Sequence, residues 1–305
     1  MTTAAAQEAF LQAFHAEHPA VTAEMLGHGR APDGRSSYEL LRDRVAGRRR
    51  VLDLGCGDGL LLELLAQESG RQLAGVDLSP EALALARQRP TLSGVTLHEA
   101  RAQALPFPDD SFDACVCHMA LMLMADIDQV ATELARVLTP GGVLACVVGG
   151  GVVGGEAYDR FRALAQEALD DVPTAKRVPT LGDRRTRSRE GFDEILTPAG
   201  FAPVDWETVI IDLSGPVEEV WGGLSTLYTF DVLDPAVMER LRKAFAAKAR
   251  EKAAPDAEVP FALRAHVATT NLRQPTARPP RARSPRWSPS SPAPGPAGPR
   301  PDPTP

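Results

Sequence analysis

Residues 51–59, Val-Leu-Asp-Leu-Gly-Cys-Gly-Asp-Gly, set an apolar run directly ahead of three alternate glycines, and Leu60-Leu61-Leu62-Glu63-Leu64-Leu65 follows as a strong helix former. A strand that turns through glycine into a helix commits the chain to an α/β architecture. Glycine has no Cβ, so Gly55, Gly57 and Gly59 can take positive φ and let a ligand lie against the backbone. The free amides at the helix start suit an anionic or hydroxyl-bearing ligand, although a tight turn with no ligand would use the same residues. Spacing narrows the choice. The dinucleotide fingerprint Gly-x-Gly-x-x-Gly wants a small residue where this chain has Leu60, which argues against a nicotinamide cofactor. Gly59, one place earlier, is expected to widen the turn for the ligand's tail.

Helix and strand patterns alternate from residue 36 onward. Ser36 and Glu39 have capping-box spacing ahead of a short helix, and Val51–Leu54 reads as the first strand. A helix over 58–68, strand Gln72–Asp77, a helix over 79–89 and a strand over 95–98 come next. The turn-rich stretch Leu105–Ser111 leads to a strand over 112–118, a helix over 127–138, a turn at Pro140-Gly141-Gly142 and a strand over 143–148. Serial βα units imply a parallel sheet with helices on both faces. The second half reads as a helix over 156–170, an Arg-rich stretch, a helix over 190–199 ended at Gly200, a strand over 202–213, two helices over 217–229 and 235–251, and a last strand over 261–269. The aromatics of the two inserted helices have helical spacing and read as core under a lid.

The formal net charge of −7 conceals an asymmetry. Residues 272–305 carry Arg273, Arg278, Arg281, Arg283, Arg286 and Arg300 against Asp302 alone, so the body is more acidic than the whole. An acidic body repels phosphate backbones and argues against a nucleic-acid partner. The same tail is dense in proline, and its composition predicts a disordered extension. No run of eighteen apolar residues occurs, and Glu8 and Glu17 interrupt the N-terminal segment, so neither a membrane span nor a signal peptide is expected and the cytoplasm is the default compartment. The four cysteines fall on or beside core strands and read as buried free thiols. His15-x-x-His18 lacks a third ligand in register, so no metal is expected.

Taken together, Val51–Gly59, Gly75-Val76-Asp77-Leu78-Ser79, the stretch Leu105-Pro106-Phe107-Pro108-Asp109-Asp110-Ser111-Phe112-Asp113 and Leu138-Thr139-Pro140-Gly141-Gly142 closely resemble, in order, the motifs of the class I S-adenosylmethionine-dependent methyltransferases. The subgroup that the chain resembles is the small-molecule one of the ubiquinone- and menaquinone-biosynthesis type. The resemblance covers about residues 47–150, with Ser188–Phe201 and the final strand similar to the rest of the fold. It implies a Rossmann-like, mostly parallel seven-stranded sheet with helices on both faces plus a helical lid. It divides the chain into an N-terminal helical cap (1–46), a methyltransferase domain (47–271, lid helices about 217–251) and the tail (272–305).

The implied cofactor is S-adenosylmethionine, with S-adenosylhomocysteine as product. Asp77, at the end of the second strand, would accept both ribose hydroxyls. Asp53 would steady the loop and the methionine ammonium end, with Gly55, Cys56, Gly57 and Gly59 along the tail and Leu78 beside Asp77. At the adenine end the chain departs from the family: Arg101 stands where an aspartate is usual, and an arginine cannot accept from an amino group. Stacking by Arg101, the Ala102 amide and Gln103 would have to substitute, and Arg101→Asp is expected to keep or tighten binding. His118, ending the fourth strand, is the candidate cofactor contact and general base, and Arg30 a candidate clamp on the cofactor carboxylate. The expected reaction is in-line methyl transfer to a small organic acceptor, in which positioning dominates. Two alternatives stay open: a nucleic-acid or protein methyltransferase docking through the basic tail, and a non-catalytic cofactor-binding protein.

Overall fold

The computed structural model describes residues 3–251 and 258–274; the proline- and arginine-rich stretch from 275 onward lies outside the described residues. Seven strands form one sheet: β1 (Arg50–Leu54), β2 (Gln72–Asp77), β3 (Thr96–Glu99), β4 (Phe112–His118), β5 (Leu138–Gly154), β6 (Asp205–Asp212) and β7 (Phe261–Asn271). Their spatial order is β3-β2-β1-β4-β5-β7-β6. The first five pair in parallel and β7 runs antiparallel to both its neighbours. This is the mostly parallel, Rossmann-like α/β sheet expected from the sequence. Strand order reverses between β1 and β4, the place where ligands of open α/β sheets bind outside the strand carboxyl ends.

Alternation along the strands divides the core. Val51, Ala114, Val116, Ala145 and Val147 face one way, and Leu52, Leu54, Cys115, Cys117 and Cys146 the other. The first layer is covered by α3 (Ser37–Arg44), α4 (Leu60–Ala66), α5 (Pro80–Gln88), α7 (Glu156–Asp170), α9 (Val217–Ser225) and α10 (Pro235–Arg250). The second is covered by α6 (Ile127–Val137) and α8 (Arg189–Leu196). The four cysteines are free and buried. Phe161, Trp221 and Phe245 pack edge to face or tilted at 5.6–6.2 Å in the first layer, as helical spacing implied.

Local chemistry fixes the elements around the crevice. Ser36 and Glu39 close a capping box on α3, and Ser79 caps α5 through the Ala82 amide, with Pro80 at the permissive first position. Arg136 and Glu133 of α6 staple the turn-rich stretch before β4. Arg136 donates to the carbonyls of Phe107 (2.7 Å) and Leu105 (3.0 Å), and Glu133 accepts from the Leu105 amide (2.7 Å). Two further helices, α1 (Ala4–Glu17) and α2 (Val21–Leu26), precede α3.

Two elements differ from their sequence reading. β5 is far longer than 143–148, because its ladder with β7 continues past a register shift between Gly149 and Val152 and recruits a glycine run of no strand propensity. The Pro140-Gly141-Gly142 turn is absorbed into that strand as an irregularity, with Gly141 at φ +80° and its amide donating to Leu272. The helix over 217–229 stops at Ser225, and a separate 3-10 turn, Tyr228–Phe230, follows the extended Leu227.

Candidate functional site

The glycine turn hangs from β2: the amides of Gly55 and Cys56 both donate to the Val76 carbonyl, at 2.8 and 3.0 Å. Its glycines serve different ends. A Cβ at Gly59 (φ +85°) would strike Leu92 Cδ1 at 2.7 Å and crowd Ala86, whereas at Gly57 (φ +51°) it would meet no protein atom within 4 Å. Gly57 therefore faces ligand space and Gly59 faces protein. The expectation that Gly59 touches the ligand is corrected: it seats the turn, as the left-handed cap of α4, against α5 and Leu92.

Two carboxylates close the inner side. Asp77 accepts from the Gly57 amide (2.7 Å, Oδ2) and the Ser79 amide (2.9 Å, Oδ1), which fixes it at the β2 end with lone pairs to spare. Asp53 is 1% exposed, and neither of its oxygens has a hydrogen-bond partner in the protein. Burial pushes its carboxyl well above the usual range, and the neighbouring charges of Asp77 and Asp58 add to the rise. A buried carboxylate left unpaired calls for a cation. The ammonium end of S-adenosylmethionine meets that need, and an acceptor pair at Asp77 suits a ribose diol, so the residues present fit this cofactor.

Three cavities adjoin. The outer one, about 120 Å³, lies among Asp77, Leu78, Ala102 and Gln103 of the sheet end and Glu8, Leu11, Gln12 and His15 of α1. The inner one, about 80 Å³, is lined by Asp53, Gly55, Cys56, Gly57, Asp58, Tyr38 and His118. A third, about 540 Å³, is walled by Met25, Met119, Met122, Leu169, Leu227, Val232 and Tyr228, and shares Met119, Leu123 and Tyr228 with the inner one. At the junction the His15 Nε2 and Tyr228 hydroxyl lie 3.0 Å apart. Burial lowers the His15 imidazole, against the charge of Asp77, and raises the Tyr228 phenol.

His118 is brought to the site in a form that corrects its role as a base. Its ring stacks on Tyr38, centroids 3.8 Å apart, and its Nε2 lies 2.9 Å from Ser37 Oγ. Burial pushes its value down to about 3, so it stays neutral at neutral pH and takes a proton poorly. It lines the inner cavity beside Asp53 and Gly57. Arg30 is corrected too: it bridges Asp212 through the backbone and donates to the carbonyls of Gly27 and Gly29, outside all three cavities, because the segment pairs with the end of β6. The Arg101 guanidinium is engaged by α1: it donates to Glu8 at 2.6 Å. Gln103 does line the outer cavity, with its amide nitrogen held by the Ala125 carbonyl at 2.7 Å.

Sequence reasoning missed the wall supplied by α1. Glu8, Leu11, Gln12 and His15 form one stripe at spacings of three, four and seven, a signal present in the sequence but lacking any partner there. Among the described residues no cluster of three or more His, Cys, Asp or Glu could hold a metal ion, and no helix is long and apolar enough to cross a membrane.

Residues 52–146 match the methyltransferase-domain family. The methyltransferase GfsG of Streptomyces halstedii is 34% identical over 216 residues, 68% of this chain and 71% of that protein. Demethylmenaquinone methyltransferase of Thermus thermophilus is 41% identical over 99 residues, 32% of this chain and 45% of that protein, so the chain spans less than half of this second relative. A solved structure with the same fold is the phosphoethanolamine N-methyltransferase 2 of Haemonchus contortus, in complex with phosphomonomethylethanolamine and S-adenosylhomocysteine. It aligns with a TM-score of 0.54 at 19% identity, over 90% of this chain and 61% of that one.

Proposed function

We propose that this chain, which belongs to the class I S-adenosylmethionine-dependent methyltransferases, methylates a small, largely apolar organic acceptor seated in the cavity of about 540 Å³ beside the cofactor cleft. That cavity carries the reading. Its size is that of a small-molecule site, its walls are rich in methionine and leucine, and it meets the inner cleft at Met119, Leu123 and Tyr228. The demethylmenaquinone in the name of one relative supports a small-molecule acceptor.

When bound, the cofactor supplies a methyl group on a sulfonium. The chain's residues divide the work of holding it. Asp77 takes the ribose hydroxyls, Asp53 balances the ammonium, Gly57 leaves room for the tail, and Leu78, Ala102 and Gln103 flank the adenine. His118 fixes the inner wall by its stack on Tyr38. Displacement in line needs two reactants held in register, which is worth about 7–11 kcal/mol, so no strong base is required. Residues 1–46 act as a helical cap on this cleft and 47–271 as the catalytic domain. The acidic body keeps nucleic acid from being the acceptor, and the protein works in the cytoplasm.

The test is to incubate the protein with methyl-labelled S-adenosylmethionine and fractionated extract. Label is expected in the small-molecule fraction; label in RNA or protein, or in no fraction, would overturn the proposal.

A further inference from the structure

At the Arg101 end of the outer cavity the nearby side-chain acceptors are the Gln103 amide oxygen and the Glu8 carboxylate. Arg101 offers donors only, and the Gln103 amide nitrogen is spent on Ala125. The carboxylate at this end comes from Glu8, 93 residues away on α1. Both contacts from Arg101, Nε at 3.0 Å and Nη2 at 2.6 Å, fall on one oxygen of Glu8. The other oxygen takes no hydrogen bond from the described residues, and the side chain is only 20% exposed. Along α1 the order is fixed, since His15, two turns on, lines both the outer and the inner cavity beside Asp77. Glu8 thus stands at the end of the cleft farther from the glycine turn.

We propose that Glu8 reads the exocyclic amino group of the adenine, and that Arg101 is a positioning residue that holds Glu8 for it. The inference rests on the placement of the cofactor given above, and it names the acceptor that the arginine at 101 lacks. A carboxylate against an amino donor is favourable; against the carbonyl of hypoxanthine it is repulsive. The pair therefore sets specificity for a 6-amino purine. Arg101→Asp would set two carboxylates side by side and release α1, so the expectation that it keeps or tightens binding is reversed.

The probes are S-adenosylhomocysteine and S-inosylhomocysteine, titrated by calorimetry, with melting temperatures recorded for every variant. The wild type should prefer the adenosyl compound by at least about tenfold, and Glu8→Gln, whose amide can face either group, should shrink the ratio to within about threefold. Glu8→Arg combined with Arg101→Asp returns a carboxylate to the pocket and should restore the preference. A pair that only latches α1 would lower both affinities by one factor and leave the ratio unchanged, which would overturn the assignment. So would a wild type indifferent to the two probes. Failure of S-adenosylhomocysteine to bind the wild type at all would instead remove the placement of the cofactor itself.

Discussion

The cofactor cleft and the cavity proposed for the acceptor meet at Tyr228, yet they are built from different material. The cleft is made by backbone and short polar groups at strand ends: the Gly57 amide on Asp77, the Val76 carbonyl under the turn, the Ala102 edge. The acceptor cavity is made by long side chains from helices and loops that are far apart in sequence, Met25 of α2, Leu169 of α7, and Leu227 and Val232 beyond α9. A site made by backbone tolerates little change, because φ and hydrogen bonds are fixed by the sheet. A site made by side chains can be reshaped one residue at a time while the fold stands.

The sharpest way to break that contrast is Gly57→Val. It should weaken S-adenosylhomocysteine by about a hundredfold or more, since the side chain enters ligand space at positive φ, where a branched residue is strained. Gly59→Ala should instead cost about 1–3 kcal/mol of stability through Leu92 and Ala86, read by denaturant unfolding. On the acceptor side, Val232→Trp should reduce methyl transfer by about tenfold or more while the affinity for S-adenosylhomocysteine stays within about twofold. Equal losses in both would mean the two cavities are one site.

Asp53→Asn sharpens the comparison with two opposite signs. It should weaken S-adenosylhomocysteine about tenfold and raise the melting temperature of the free protein by about 2–4 °C at pH 8. The folded carboxyl is raised above its unfolded value of about 3.9, so the unfolded state releases its proton first and stability falls as pH climbs above that value. The stabilising effect of the variant should therefore vanish near pH 4. A variant less stable than wild type at pH 8 would mean that Asp53 is paired in the free protein.

The smallest effect is expected at His118. Folded, it holds its proton only below about 3, against 6.5 unfolded, so its contribution to stability is lost as pH falls between those values. His118→Gln should flatten the loss of melting temperature between pH 6.5 and 4.5 by about 1–3 °C and change turnover less than about threefold. A larger loss of turnover would return His118 to the chemistry.

What could be read from the sequence follows the same division. The cleft was legible because strand, glycine turn and strand-end acid are local patterns whose geometry the backbone dictates, as at Gly57 and Asp77. Ser36, Ser79 and the parallel core strands were legible for the same reason. Glu8 and Arg101 were each visible, but their pairing depends on where α1 docks, and no local rule gives that. Arg30 failed likewise: it reads as a charged clamp in a segment expected to fold over the cofactor, and the backbone of that segment instead pairs with Asp212. The acceptor cavity is hardest, since Tyr228 reads as one more core aromatic until His15 lies against it.

That contact between His15 and Tyr228 also ties the two cavities together. α1 borders the cofactor cavities on one side and, through His15, touches a wall of the acceptor cavity. Any change that parts His15 from Tyr228 therefore alters a wall of both cavities at once, so neither can be reshaped at this point without the other.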